Sequence, residues 1–246
     1  MRSLTLLFSI LLLSACANQR SNQSRHGSPA ESSSSAINLS DLASSDYENN
    51  LVYPQSVYSL QFVTQKTFDD PIWGTQLRYA HIFSENDIVD VFVYPIAATN
   101  WDNEVATLMH ENQKVLDEIN EAVKRKHYKA VKVEKTGEIK FGEWQGVKSS
   151  LDLTMNDGKL YRSFVFLFIQ QDKFIKVRFS LLKGKDLGLP DENVIARELI
   201  TAITVPAESA YMLAMREQHR EQRAQELLRM LIEAAGQQKK TEPSTQ

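Results

Sequence analysis

The stretch 146–182 constrains the fold of this chain most. Val147, Leu151, Leu153 and Met155 alternate with Lys148, Asp152 and Thr154. That is the period-two signature of a strand with one buried face and one solvated face. Asn156-Asp157-Gly158 follows, three residues that tolerate the positive φ of a tight turn, and closes a hairpin. The next segment, 160–170, is apolar on both faces from 164 to 169, as in a central strand covered twice. Gln171-Asp172 then turns the chain into a further strand over 173–182.

The elements upstream are read in the same way. Residues 57–63 read as a strand with Tyr58, Leu60 and Phe62 on one face. Over 77–83, Leu77, Tyr79, His81 and Phe83 share a face, and the β-prone run 87–94 is closed by Pro95. Over 101–126 the period changes. Val105, Leu108, Met109, Val115, Leu116, Ile119 and Val123 fall at helical spacing, which predicts a long amphipathic helix packed on the sheet. Thr99 or Asn100 is its expected cap, and Asp102 and Glu104 suit its positive end. A strand over 130–141 precedes the 146–182 run. Pro190 is expected to start a short helix carrying Val194, Ile195, Leu199 and Ile203.

The predicted order is three strands, a long helix, a four-strand meander and a closing helix ending in Thr204-Val205-Pro206. This layout resembles the PsbP-like superfamily and its DcrB-like bacterial relatives. The resemblance implies an α+β fold, an antiparallel sheet flanked by helices in an α/β/α sandwich over 46–206. It includes no chemical motif.

The amino terminus reads as an address. Arg2 gives a positive start and the run 4–13 is apolar except for Thr5 and Ser9. Ten helical residues reach only about 15 Å, half of a bilayer core, so the run does not span one and reads as a secretory signal. Leu13-Ser14-Ala15-Cys16 resembles the lipobox of bacterial lipoproteins at all four positions. The resemblance implies removal of the signal (1–16) up to Cys16, which becomes the first residue, carrying acyl chains of the palmitate kind. Ala17, where the inner-membrane retention signal would place Asp, implies the outer membrane of a Gram-negative cell, facing the periplasm. Cys16 is the only cysteine, so an exported chain of this kind forms no internal disulfide. Residues 17–45 contain ten serines and few large apolar side chains, the composition of a disordered tether. Its root-mean-square span as a flexible coil is about 30 Å.

Residues 207–246 form a separate unit. No Gly or Pro interrupts 208–235, which is rich in Ala, Glu, Gln, Arg and Leu and is expected to be helical. Glu217 with Arg220, and Arg229 with Glu233, stand at ion-pair spacing. The middle, 216–226, is polar nearly all round, whereas Leu227, Leu228, Met230, Leu231 and Ile232 would expose an apolar patch if left undocked. Either the helix packs back on its own domain, or it binds an envelope protein or a second copy. Residues 239–246 read as a disordered tail.

Composition and motifs narrow the chemistry. A net charge of -3 gives no electrostatic reason to expect nucleic acid. GxSxG, HExxH, CxxC and glycine-rich phosphate loops ending in Lys-Ser or Lys-Thr are absent, and the five histidines show no i, i+4 pair. No catalytic residue, metal site or cofactor is assigned. Glu85, Asp87 and Asp90 around a turn are either solvated carboxylates or a weak cation site. His81 beside Tyr79 is either structural or a proton-transfer group. The basic run Lys124, Arg125, Lys126, Lys129, Lys132 and Lys135 either complements a helix end or meets an anionic partner such as lipid headgroups or peptidoglycan. Trp73, in Asp70-Pro71-Ile72-Trp73-Gly74, either packs under its loop or anchors a partner. The expected function is that of a non-catalytic, outer-membrane-anchored module that binds or assembles an envelope partner, with Leu227, Leu228, Leu231 and Trp73 as candidate contacts. The alternatives are a small-ligand or metal carrier using a sheet edge near Asp87 and Asp90, and an enzyme whose site is assembled from distant residues.

Overall fold

The computed structural model of the protein describes residues 47–185 and 188–238. The signal (1–16), the tether (17–45) and the tail (239–246) lie outside the described residues. A short helix α1 (Tyr47–Asn50) leads into β1 (Ser56–Val57), β2 (Leu60–Thr67), β3 (Thr75–His81) and β4 (Ser84–Pro95). Helix α2 (Glu104–Lys124) follows, then β5 (Ala130–Phe141), β6 (Trp144–Thr154), β7 (Leu160–Gln170) and β8 (Lys173–Leu182), and last α3 (Glu192–Ala202) and α4 (Ala210–Gln238). The strands form one antiparallel sheet in the order β1-β2-β3-β4-β8-β7-β6-β5.

The alternation read along 147–155 determines which face each side chain takes. Val147, Leu151 and Leu153 pack with Val165, Leu167, Ile169 and Phe174 under Leu108, Val115, Leu116 and Ile119 of α2. On the other face Phe164, Phe166 and Phe168 of β7 meet Val89, Val91, Val177 and Phe179 beneath Ile195, Leu199 and Ile200 of α3. Strand β7 is buried continuously from Ser163 to Ile169 because both layers use it. Each fully buried Phe or Leu here contributes about 1.5–3 kcal/mol of transfer free energy. The result is an antiparallel sheet with helices on both faces, as the sequence predicts. The long edge strand β5 carries Lys132, Glu134, Lys135, Glu138 and Lys140, charges that block pairing with another chain.

Several details differ from the sequence reading. The run 57–63 is not one strand, because the chain turns at Tyr58 (φ 55°) and Ser59, leaving Leu60 buried and Tyr58 exposed. Phe83 does not share the buried face of Leu77, Tyr79 and His81. It lies in the β3–β4 turn and is 83% exposed. Helix α2 is capped by neither Thr99 nor Asn100 but by Asn103, whose side chain accepts from Ala106 N at 3.0 Å. Asn100 instead accepts from Asp102 N. Helix α3 begins after Asp191, which caps it through Asn193 N, rather than at Pro190. Strand β4 is no sheet edge, since β3 and β8 flank it.

Candidate functional site: the carboxy-terminal helix

Helix α4 is 29 residues long, about 44 Å at 1.5 Å per residue. Its start is fixed by Ser209, whose carbonyl accepts from Leu213 N and whose hydroxyl accepts from Met212 N. The segment leading to it is pinned to the sheet. Val205 N donates to Gln170 Oε1 at 2.9 Å, and Gln170 Nε2 donates to Ile203 O. Lys173 and Asp172, both buried, form an ion pair at 2.6 Å, and the same ammonium donates to Ala207 O.

The first two turns of α4 are docked through Met212 and Arg216, which are 2% and 5% exposed. The Arg216 guanidinium donates to Ile96 O and Ala98 O, lies 4.7 Å from the Trp101 ring centroid, and pairs with Glu208. Burial lowers its pKa from the ordinary arginine value, and the Asp172 carboxylate opposes that shift. Such a fork holds two loop carbonyls and one aromatic face at once, which a lysine would not do. Replacing Arg216 with alanine strands both carbonyls and is expected to cost about 2–4 kcal/mol. Amide exchange should then quicken through 210–223 and stay slow in β7 and β8. Equal acceleration in both regions would show that Arg216 supports the whole domain rather than the helix.

Beyond this root the helix leaves the domain. The last hydrogen bond from α4 to the domain among the described residues runs from Arg223 Nη1 to Thr99 Oγ1 at 3.2 Å. Every described side chain from Arg220 to Glu233 is exposed. The apolar patch is therefore not folded back on the sandwich: Leu227, Leu228, Met230, Leu231 and Ile232 are 56–64% exposed. Leu227 with Leu231, and Leu228 with Ile232, form i, i+4 pairs along one side. Leu228 and Ile232 line a shallow groove with Gln225, Arg229 and Glu233. The expected ion pairs form, Arg220–Glu217 at 2.7 Å and Arg229–Glu233 at 3.0 Å.

The other candidate residues are dispersed. Trp73 is 43% exposed in a single 3₁₀ turn, Pro71–Trp73, whose cap Asp70 accepts from Ile72 N. This turn borders the root of α4, where Asp70 adds to burial in raising the Tyr211 phenol above its usual range. The structure does not bring Trp73 together with Leu227, Leu228 and Leu231, which lie about 24 Å or more further along the helix. Asp90 holds Arg78 through two bonds of 2.7 and 3.0 Å. Asp87 accepts from Leu182 N and Ser84 Oγ. Their oxygens are thus engaged by protein donors, and no group of three or more His, Cys, Asp or Glu among the described residues is placed to hold a metal ion. His81 is buried, and its Nδ1 accepts from Phe83 N. His110, His127 and His219 are exposed.

No family model matches the sequence, and no curated protein does. Among solved structures the chain is similar to cyanobacterial PsbP (CyanoP) from Synechocystis sp., at 8% identity over 64% of this chain and 93% of that one, with a TM-score of 0.44. It is also similar to a protein from Bacteroides thetaiotaomicron, at 12% identity over 64% of this chain and 49% of that one, with a TM-score of 0.37.

Proposed function

We propose that this protein is a non-catalytic, lipid-anchored module of the outer membrane, facing the periplasm, that presents α4 to an envelope protein partner. The reading rests on one observation above all. A helix rooted by a buried arginine carries five large apolar side chains, more than half exposed, beyond the surface of its own domain. Soluble domains avoid such a contiguous patch unless a partner covers it. An i, i+3, i+4 stripe is the form in which one helix offers itself to a groove or to another helix. The membrane anchor is supported by Arg2, the apolar run 4–13 and the Leu13-Ser14-Ala15-Cys16 motif.

Photocrosslinking from Gln225 in the intact chain, in cells, tests the partner directly. The expected result is one discrete adduct. The double variant Leu228→Glu/Leu231→Glu should reduce it by about tenfold or more, since each leucine buries about 1.5–3 kcal/mol and 1.4 kcal/mol is one decade in affinity. Protein abundance should not change, because both side chains lie outside the core. An adduct that persists in the double variant sinks the proposal. An adduct of twice the chain's mass replaces the envelope partner with a second copy.

A further inference from the structure

At the strand ends opposite the root of α4, several turns follow one another along the sheet. The β3–β4 turn lies there with Ile82, 50% exposed, and Phe83, 83% exposed. Beside it is the β1–β2 turn, joined by a hydrogen bond from Ile82 N to Ser59 O, with Tyr58 52% exposed. Tyr58 has φ 55°, a conformation a bulky side chain rarely adopts, and it holds the ring outward although Leu60, two residues on, is in the core. Ile88, next to this turn, pairs with Ser180 near the end of β8, and Leu182 pairs with Tyr161 at the start of β7. Strand β7 in turn begins opposite the end of β6, where Leu160 pairs with Thr154.

The basic run of the sequence arrives at this same end. Lys129 N donates to Thr154 O, and Asn156 donates to Lys126 O, which fixes the chain after α2 against the β6–β7 turn. The described carboxylates here already hold cations: Asp87 holds Lys185, Asp152 holds Lys183 and Asp157 holds Lys159. Glu121 serves both Lys124 and Arg125. Lys126 and Lys129 are exposed and have no ion pair among the described residues. Two lysines without an ion pair among the described residues therefore stand at the same strand ends as the exposed apolar tips, on the β5–β6 side of the sheet, with the tips on the β1–β4 side.

We infer that this turn end is a second membrane contact, with Tyr58, Ile82 and Phe83 entering the headgroup layer of an anionic phospholipid bilayer and Lys126 and Lys129 meeting its phosphates. Three arguments select a bilayer. The contacts stand on separate turns spread across about 30 Å of sheet, six strand spacings, which suits a broad surface rather than a groove-bound peptide. Aromatic and aliphatic tips together with exposed lysines along one end of a sheet are the chemistry of an interface that is apolar a few ångströms below a negative surface. The root of α4, at Ile96, Asp172 and Ala207, lies at the opposite ends of the same strands, so this docking turns α4 away from the bilayer. The inference takes its bilayer from the anchored reading, and the two can fail separately.

The test uses the protein as the cell makes it, purified and reconstituted into phosphatidylethanolamine–phosphatidylglycerol vesicles, with Ser59→Cys or Gln225→Cys labelled by a fluorophore. A label at 59 should be shielded from an aqueous quencher, while a label at 225 is not. The shielding should be lost in Ile82→Ser/Phe83→Ser, and lost again with phosphatidylcholine alone or in Lys126→Glu/Lys129→Glu. Thermal melts of these surface variants should match the parent. Equal quenching at 59 and 225, or shielding indifferent to the serine pair, overturns the inference. So does shielding that needs no vesicles and grows with protein concentration, which would mean a second copy covers the tips. Label found on Cys16 by mass spectrometry would instead count against the lipid anchor.

Discussion

Gly74→Ala is expected to lower the thermal midpoint by on the order of 10 °C, through two costs that add. Gly74 has φ 62° and ψ -127°, a combination open essentially to glycine alone, where a Cβ costs about 1–3 kcal/mol. The site is also closed. A Cβ there would collide with Val93 O and stand 2.7 Å from Tyr94 Cα, backbone of the neighbouring strand that cannot swing aside. Overpacking of this kind costs about 1–3 kcal/mol. The position matters because Gly74 closes the 3₁₀ turn by donating to Pro71 O and accepts from Phe68 N, so it launches β3 in register with β4. Gly158→Ala is the control. It shares the positive φ, at 84°, but its Cβ would meet nothing within 4 Å. Thermal unfolding of the two variants separates the causes, and equal midpoints would mean that the approach of Val93 is not the constraint.

What was legible in the sequence follows from how physics marks residues. Strands β6, β7 and β8 could be read because burial on one face or two writes a period-two or a continuous apolar pattern, and Asn156-Asp157-Gly158 marks the turn chemically. The break at Tyr58 could not, because neither Tyr58 nor Ser59 is a residue that a turn demands. The turn there is held by a partner remote in sequence, the β3–β4 turn, whose Ile82 N donates to Ser59 O. The cap of α2 was ambiguous because Thr99, Asn100 and Asn103 are all chemically able, and only the backbone path decides among them. Within the site, the patch at Leu227 and Leu228 stood out as apolar residues in a polar helix. Arg216 did not, because its partners are the carbonyls of Ile96 and Ala98, groups every residue carries, over a hundred positions away. The burial of Asp172 and Lys173 is not legible in the sequence for the same reason: what covers them is the arrival of Ala207.

Cys16→Ser is expected to move the protein out of the tight membrane fraction. A serine hydroxyl cannot form the thioether that holds the acyl chains of the proposed anchor. Each buried methylene contributes about 0.8 kcal/mol and a single chain binds only marginally, so durable attachment depends on the two or three chains that such a cysteine would carry. The run 4–13 reaches about half of a bilayer core, and no helix among the described residues is long and apolar enough to cross one. The turn end with Phe83 and Lys129 is a different kind of contact, shallow and partly electrostatic. It should leave the serine variant with a residual association that high salt weakens, since screening shortens the reach of surface charges. Fractionation at low and high salt reads both effects together. Cys16→Ser protein that remains with membranes in high salt would remove the lipid anchor from the proposal. Full release even at low salt would instead count against the second contact.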